Sequence, residues 1–140
     1  MIVLDTNVLS ELMRPKPSPR VVAWVATQPA AELFTTSITE AEIFYGIELL
    51  ARSKRREDLL AAAEAMFDDD LAGRVLGFQS EAARFFSSIA ARRRALGRPI
   101  SHADAQIAAI AQIHRARLAT RNTADFRDCG VEVVDPWSAS

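Results

Sequence analysis

Short apolar runs alternate with longer stretches of helical periodicity along the whole chain. Residues 2–4, 33–36, 75–78, 118–120 and 131–134 have the length of strands and end at turn or polar residues. The segments between them carry helix signals. A first helix is expected over 6–13, opened by Asp5. Ser18-Pro19 reads as a cap followed by proline at the first helical position, opening a helix over 20–27. Thr39 with Glu42, and Ser101 with Asp104, each pair a capping hydroxyl with an acid three residues later. Residues 54–67, rich in alanine and leucine, give another helix. Ser80 is the expected cap of a long helix over 81–96 that stops at Gly97 and Pro99.

Strands that alternate with helices imply an α/β fold: a five-stranded parallel sheet flanked by helices on both faces. No repeat, linker or low-complexity tract divides the sequence, so residues 1–140 are read as a single domain. Ligands of such sheets bind outside the carboxyl ends of the strands. Several acids fall there. Asp5 follows the first strand, Glu42 is expected in the first turn of the helix after the second, and Asp104 opens a later helix. Asn122 and Asp125 follow the fourth strand.

Each acid alone has a plain structural reading, because a carboxylate in a helix's first turn satisfies free N–H groups and complements the helix dipole, worth ~1 kcal/mol. Together they do not. Two carboxylates 4 Å apart repel by ~4 kcal/mol at an effective dielectric of ~20. No lysine lies within these motifs to offset that charge. A hard divalent cation, Mg²⁺ or Mn²⁺, is the natural neutraliser. Such a cation makes bound water more acidic and stabilises charge on a phosphoryl oxygen, so the acids point to phosphodiester hydrolysis. Charge alone does not name the nucleic acid.

Composition narrows the picture a little. The chain is 49% apolar and 25% charged, an ordinary globular balance. Its formal charge of −1 gives no global argument for nucleic-acid binding. Basic residues do cluster locally at Lys54-Arg55-Arg56, at Arg92-Arg93-Arg94, and at Arg115, Arg117 and Arg121. Such clusters are either solvated helix faces or contact surfaces. Met1-Ile2-Val3-Leu4-Asp5 meets an acid too early for a signal peptide, no run spans a bilayer, and Cys129 stands alone. The expectation is a cytoplasmic protein without membrane contact.

Four motifs, in order, then resemble one family. Leu4-Asp5-Thr6-Asn7-Val8-Leu9-Ser10-Glu11-Leu12 with Arg14-Pro15 looks like the opening of a PIN domain of the VapC/FitB-like toxin group. Ser37-Ile38-Thr39-Glu40-Ala41-Glu42 with Tyr45-Gly46-Ile47 and Ala103-Asp104-Ala105-Gln106-Ile107-Ala108-Ala109 continue the match. Ala119-Thr120-Arg121-Asn122-Thr123-Ala124-Asp125-Phe126 and Gly130-Val131 through Pro136-Trp137 end it. The resemblance implies a Mg²⁺/Mn²⁺-dependent endoribonuclease, the toxin of a type II toxin–antitoxin pair. Its implied partners are RNA, a VapB-like antitoxin, a second copy in a homodimer, and operator DNA only through the antitoxin. By position it implies Asp5, Glu42 and Asp104 as core metal ligands, with Thr6 as a hydrogen-bond partner beside the first acid. Glu40 is then the solvent-side acid. Asn122 and Asp125 share the fourth position: Asn122 can bind a metal-bound water but brings no charge, and Asp125 is favoured as the catalytic outer ligand over a mere cap of the turn before Phe126. Arg121, beside that motif, is the first candidate for a phosphate contact.

Other readings remain beside this one. A weakly active or inactive PIN module working mainly with an antitoxin on operator DNA is kept open by Asn122. Covalent aspartyl phosphatase chemistry wants a second aspartate two residues after the first, where this chain has Asn7. Ser101, His102 and Asp104 lie within one helical turn, unlike a triad assembled across a fold. His102 and His114 read as surface or helix-end residues, Phe85, Phe86 and Ile89 as core, and Trp24 and Trp137 as packing, with stacking on bases the alternative for an exposed ring. Arg92–94 would flank an RNA groove or form an antitoxin or dimer contact, and Cys129 would be inert.

Overall fold

In the computed structural model, which describes residues 1–139, the chain folds as a parallel sheet between two layers of helices. The strands are β1 (Ile2–Leu4), β2 (Leu33–Thr36), β3 (Val75–Leu76), β4 (Arg117–Ala119) and β5 (Val133–Val134), ordered β3-β2-β1-β4-β5. Six α-helices connect them among the described residues: α1 (Thr6–Leu12), α2 (Pro19–Ala26), α3 (Ser37–Glu48), α4 (Lys54–Ala65), α5 (Ser80–Ala95) and α6 (His102–Ile113). No described helix is long and apolar enough to cross a membrane.

The near-continuous apolar strands have a direct cause, because both faces of the sheet are covered. Successive side chains point to opposite faces. Val3 and Leu118 join Ile89 of α5 and Ile107, Ala108 and Ile110 of α6 in one core. Ile2, Leu4 and Ala119 join Val8, Val21, Trp24, Ile43 and Phe67, from α1 through to the turn after α4, in the other. Fully burying a side chain of this size contributes about 2 kcal/mol, so each core is a major stabilising term. Of the residues read as core, Ile89 is buried and Phe85 and Phe86 are partly buried beside it.

Several element boundaries differ from the sequence reading. Thr36, not Thr39, caps α3, its side chain accepting from the Thr39 N–H at 3.1 Å. Thr39 is instead inside the helix and fully buried. Glu42 therefore lies in the second turn of α3, where it can serve no cap. Gln79 precedes α5 with no side-chain cap bond, and Ser80 is already helical. The helix expected over 54–67 ends at Ala65 and widens into a π turn, Met66–Asp70, whose Leu71 N–H reaches the Met66 carbonyl at 2.8 Å. Strand β5 keeps only two of the four residues expected. Gly130 at φ +70° puts a left-handed turn just before it, which explains why pairing starts late.

The chain runs from central β1 outward through β2 to β3, then crosses to β4 on the other side of β1. The carboxyl ends of β1 and β4 thus flank the point where strand order reverses, the place where such sheets bind ligands.

Candidate metal centre

Asp5 sits at that point. Its N–H continues the ladder to the Ala119 carbonyl at 2.9 Å, which fixes the residue against the end of β4. Its side chain caps α1, with Oδ1 accepting from the Thr6 N–H at 2.8 Å. Oδ2 accepts from the Thr120 hydroxyl at 2.7 Å and from the Asn7 amide at 3.2 Å. Asp5 is 4% exposed, so a carboxylate here is nearly out of water. All three donors are neutral. Burial pushes its pKa above the ordinary carboxylate value, opposed by the Thr120 and Thr6 hydrogen bonds and reinforced by the charge of Glu42.

Glu42 reaches the same place from α3. The Thr6 hydroxyl lies 2.7 Å from its Oε1 and 3.1 Å from the Thr39 Oγ1. A hydroxyl has one proton, and the shorter, charge-assisted contact takes it. Thr39 is left to donate to Thr6, giving a relay from the buried Thr39 through Thr6 to Glu42. Glu40 does not line the cleft and is half-buried, which corrects its reading as the solvent-side acid; Glu42 is the more exposed of the two.

Asp104 comes from the first turn of α6, where the Ser101 hydroxyl accepts from its N–H at 3.1 Å. Its carboxyl is pushed up to about 6, chiefly by burial and then by the charge of Asp5, with Asp125 and Glu42 adding to the rise. Ser101 acts in the opposite direction. His102 turns away, its ring edge-on to Phe86 at 5.6 Å, so no triad forms.

These three acids line one open cleft of about 640 Å³. Thr6, Asn7 and Asn122 line it too, and Arg14, Arg55, Arg121 and Trp137 stand around it. Asp125 does not line it. It lies exposed in a short 3₁₀ turn, Thr123–Phe126, close enough for its charge to be felt at Asp104. That turn is held from below. The buried Arg93 guanidinium donates to the carbonyls of Asp125 and Arg127, and its Nε to that of Arg98 at 2.8 Å. This corrects the reading of Arg92–94 as one contact surface, since only Arg92 and Arg94 are exposed. Cys129 is buried beside Arg93, and burial pushes its thiol up, as expected of an inert cysteine.

The donor set can be tested against a divalent cation. The acidic groups offer only oxygen, and among the described residues none of the three acids is in an ion pair. Burial is the main cause that raises the Asp5 and Asp104 carboxyls, and the charge of neighbouring acids adds to it. Among the described residues, however, no three His, Cys, Asp or Glu side chains are close enough to hold an ion by direct bonds alone. One or two carboxylates with several waters is the ordinary way Mg²⁺ is held, so the residues fit that ion with water completing its shell.

Two residues that hold this site together were given no role in the sequence reading. Thr120 donates to Asp5 while accepting from the Asn7 amide at 3.1 Å and from the Asn122 N–H at 3.1 Å. Asn7 joins the two strand ends, because its Oδ1 also accepts from the Arg121 N–H at 3.1 Å. The signal available was a hydroxyl directly after an apolar strand. Its partner becomes visible only once Leu4 is set opposite Ala119.

Comparison with known proteins agrees with this architecture. The PIN domain family matches residues 2–131. A protein named VapC ribonuclease Y4jK, from Sinorhizobium fredii, is 39% identical over 137 residues, covering 98% of each chain. A protein named Toxin FitB, from Neisseria gonorrhoeae, is 38% identical over 137 residues, covering 98% of this chain and 99% of its own. Among solved structures, one described as FitAB bound to an IR36 DNA fragment superposes with a TM-score of 0.89. It is 36% identical and covers 100% of this chain and 98% of the other. Sequence, sheet order and fold therefore converge: this chain belongs to the PIN-domain family and, within it, to the VapC/FitB-like group.

Proposed function

We propose that this chain is a Mg²⁺- or Mn²⁺-dependent endoribonuclease, the toxin of a type II toxin–antitoxin pair, working in the cytoplasm. The observation that carries the reading is the shared cleft of Asp5, Glu42 and Asp104, unpaired among the described residues, with the Asp104 carboxyl raised to about 6. The relatives named as a ribonuclease and a toxin supply the substrate class.

Asp5, Glu42 and Asp104 would hold the ion in part through its waters, with Asn122 accepting or donating through water and Asp125 adding outer negative charge. A bound Mg²⁺ or Mn²⁺ supplies a more acidic water and neutralises charge on a phosphoryl oxygen. The chain's own side chains do the rest. Thr120, Asn7 and the Thr6 N–H fix both oxygens of Asp5, so its orientation is set before any ligand arrives. Thr6 fixes one oxygen of Glu42 and leaves the other free. Arg55 and Arg121, at the cleft and without a carboxylate partner among the described residues, would meet the phosphates beside a scissile bond. The VapB-like antitoxin and the homodimer belong to the same proposal, in keeping with structural relatives described as FitAB and VapBC complexes.

The test is cleavage of RNA in Mg²⁺ or Mn²⁺ by wild type, Asp5→Ala and Asp104→Ala. Both variants are expected to lose activity, and cleavage at the wild-type rate by both rejects the centre. A second reading, a PIN module that works mainly with its antitoxin on operator DNA, draws on Asn122 standing where an acid would add charge. Calorimetric titration separates the two, since a degenerate site takes up no Mn²⁺ in an Asp5-dependent way.

A further inference from the structure

Arg121 and Trp137 meet on the cleft rim although 16 positions separate them in sequence. The guanidinium carbon of Arg121 lies 5.0 Å from the centre of the Trp137 ring, within cation–π range. Neither partner is loosely placed. The Arg121 backbone is tied to Asn7, the residue that also holds Asp5. The Trp137 backbone is tied at both ends: its N–H donates to Asp135 Oδ1 at 2.8 Å, and its carbonyl accepts from Arg20 Nη1 at 3.1 Å. Arg121 is exposed and, among the described residues, has no carboxylate partner. An exposed arginine usually disperses over many rotamers, whereas one stacked on an anchored indole is confined before it binds anything.

From this we propose that Trp137 is a positioning residue that holds the Arg121 guanidinium over the cleft to bind a backbone phosphate of single-stranded RNA. The proposal rests on the ribonuclease reading and adds to it a role for the segment after β5. An aromatic ring at 137 matters for its face, so phenylalanine preserves the arrangement and leucine does not.

The experiment measures binding of a fluorescently labelled single-stranded oligoribonucleotide to the full chain in EDTA, as a function of KCl. Arg121→Gln is expected to weaken binding by roughly tenfold and to lower the slope of log affinity against log salt by about 0.7, the value for one phosphate contact on a single strand. Trp137→Leu is expected to weaken binding by roughly threefold with a lower slope, and Trp137→Phe to restore most of both. Melting curves and Mn²⁺ titration accompany each variant, and neither Tm nor Mn²⁺ affinity is expected to fall with Arg121→Gln. An unchanged salt slope in Arg121→Gln overturns the phosphate contact. Wild-type behaviour of Trp137→Leu, or equal loss in Trp137→Phe and Trp137→Leu, overturns the positioning role. Absence of RNA cleavage by wild type in Mn²⁺ is a separate result that sinks the nuclease reading, because the binding slopes are read without metal or turnover.

Discussion

The two ends of α1 each bury a carboxylate, and they treat it differently. At the carboxyl end Glu11, 7% exposed, accepts from the Ser18 N–H at 2.9 Å and pairs with Arg14 at 3.3 Å. Its charge is answered within the protein, and the loop leading to α2 is tied down in the process. At the amino end Asp5, 4% exposed, has only neutral donors and faces the charges of Glu42 and Asp104. Both acids are well hydrogen-bonded, so hydrogen bonding does not distinguish structure from function here. The counter-charge does. Glu11 is complete as folded, whereas Asp5 has no counter-charge among the described residues, the gap that the proposed cation would fill.

The largest test of that contrast is activity. Asp5→Ala should reduce RNA cleavage in Mn²⁺ by at least about 10³-fold, whereas Glu11→Gln should leave it within an order of magnitude at temperatures well below its melt. Equal losses from the two substitutions, in protein that is still folded, would erase the distinction. Next is the support beneath Asp5. Thr120→Val removes its shortest donor and leaves two neighbouring donors without their acceptor, and should weaken Mn²⁺ binding by about 10- to 100-fold in a calorimetric titration. An unchanged affinity would mean that Asp5 is oriented by the helix cap alone.

Stability should move the other way. Glu11→Gln discards a charge-assisted acceptor and is expected to cost about 1–2 kcal/mol, seen as a Tm lower by roughly 3–6 °C. At Asp104 burial and the neighbouring acids outweigh the opposing Ser101 hydrogen bond, so Asp104→Asn should instead stabilise the metal-free protein near neutral pH. The smallest effect is the wild-type pH profile. A carboxyl raised from 3.8 to about 6 favours the folded state fully below pH 3.8, and that contribution is lost as pH rises through 6. For a half-exposed group the change is on the order of 1 kcal/mol. Melts of metal-free protein between those pH values should therefore decline relative to Asp104→Asn, and added Mn²⁺ should recover the difference only above pH 6. Parallel pH profiles for the two proteins would remove Asp104 from the charged cluster.

Local pattern was sufficient for the strands and for most of the helices, because short continuous apolar runs and period-3.6 burial are both written within a few residues. It failed where the deciding partner is distant. Thr36 and Thr39 are both hydroxyls before an apolar helix, and the β2–β1 pairing together with burial of Thr39 under Thr6 selects the first as cap. Arg93 reads in sequence as the middle of a basic surface. In the fold, helical phase turns it inward, away from Arg92 and Arg94, onto carbonyls of the turn that carries Asp125.

The sequence by itself determined the α/β alternation and, through the resemblance of four ordered motifs, the PIN family and the candidate acids. Tertiary structure alone decided which distant groups meet: that Thr120 donates to Asp5, that Thr6 donates to Glu42, and that Arg121 lies on Trp137. The reason is range. Burial patterns are written in neighbours along the chain, but the energy of a charge depends on whatever stands within a few ångströms, and at this cleft those groups come from opposite ends of the sequence.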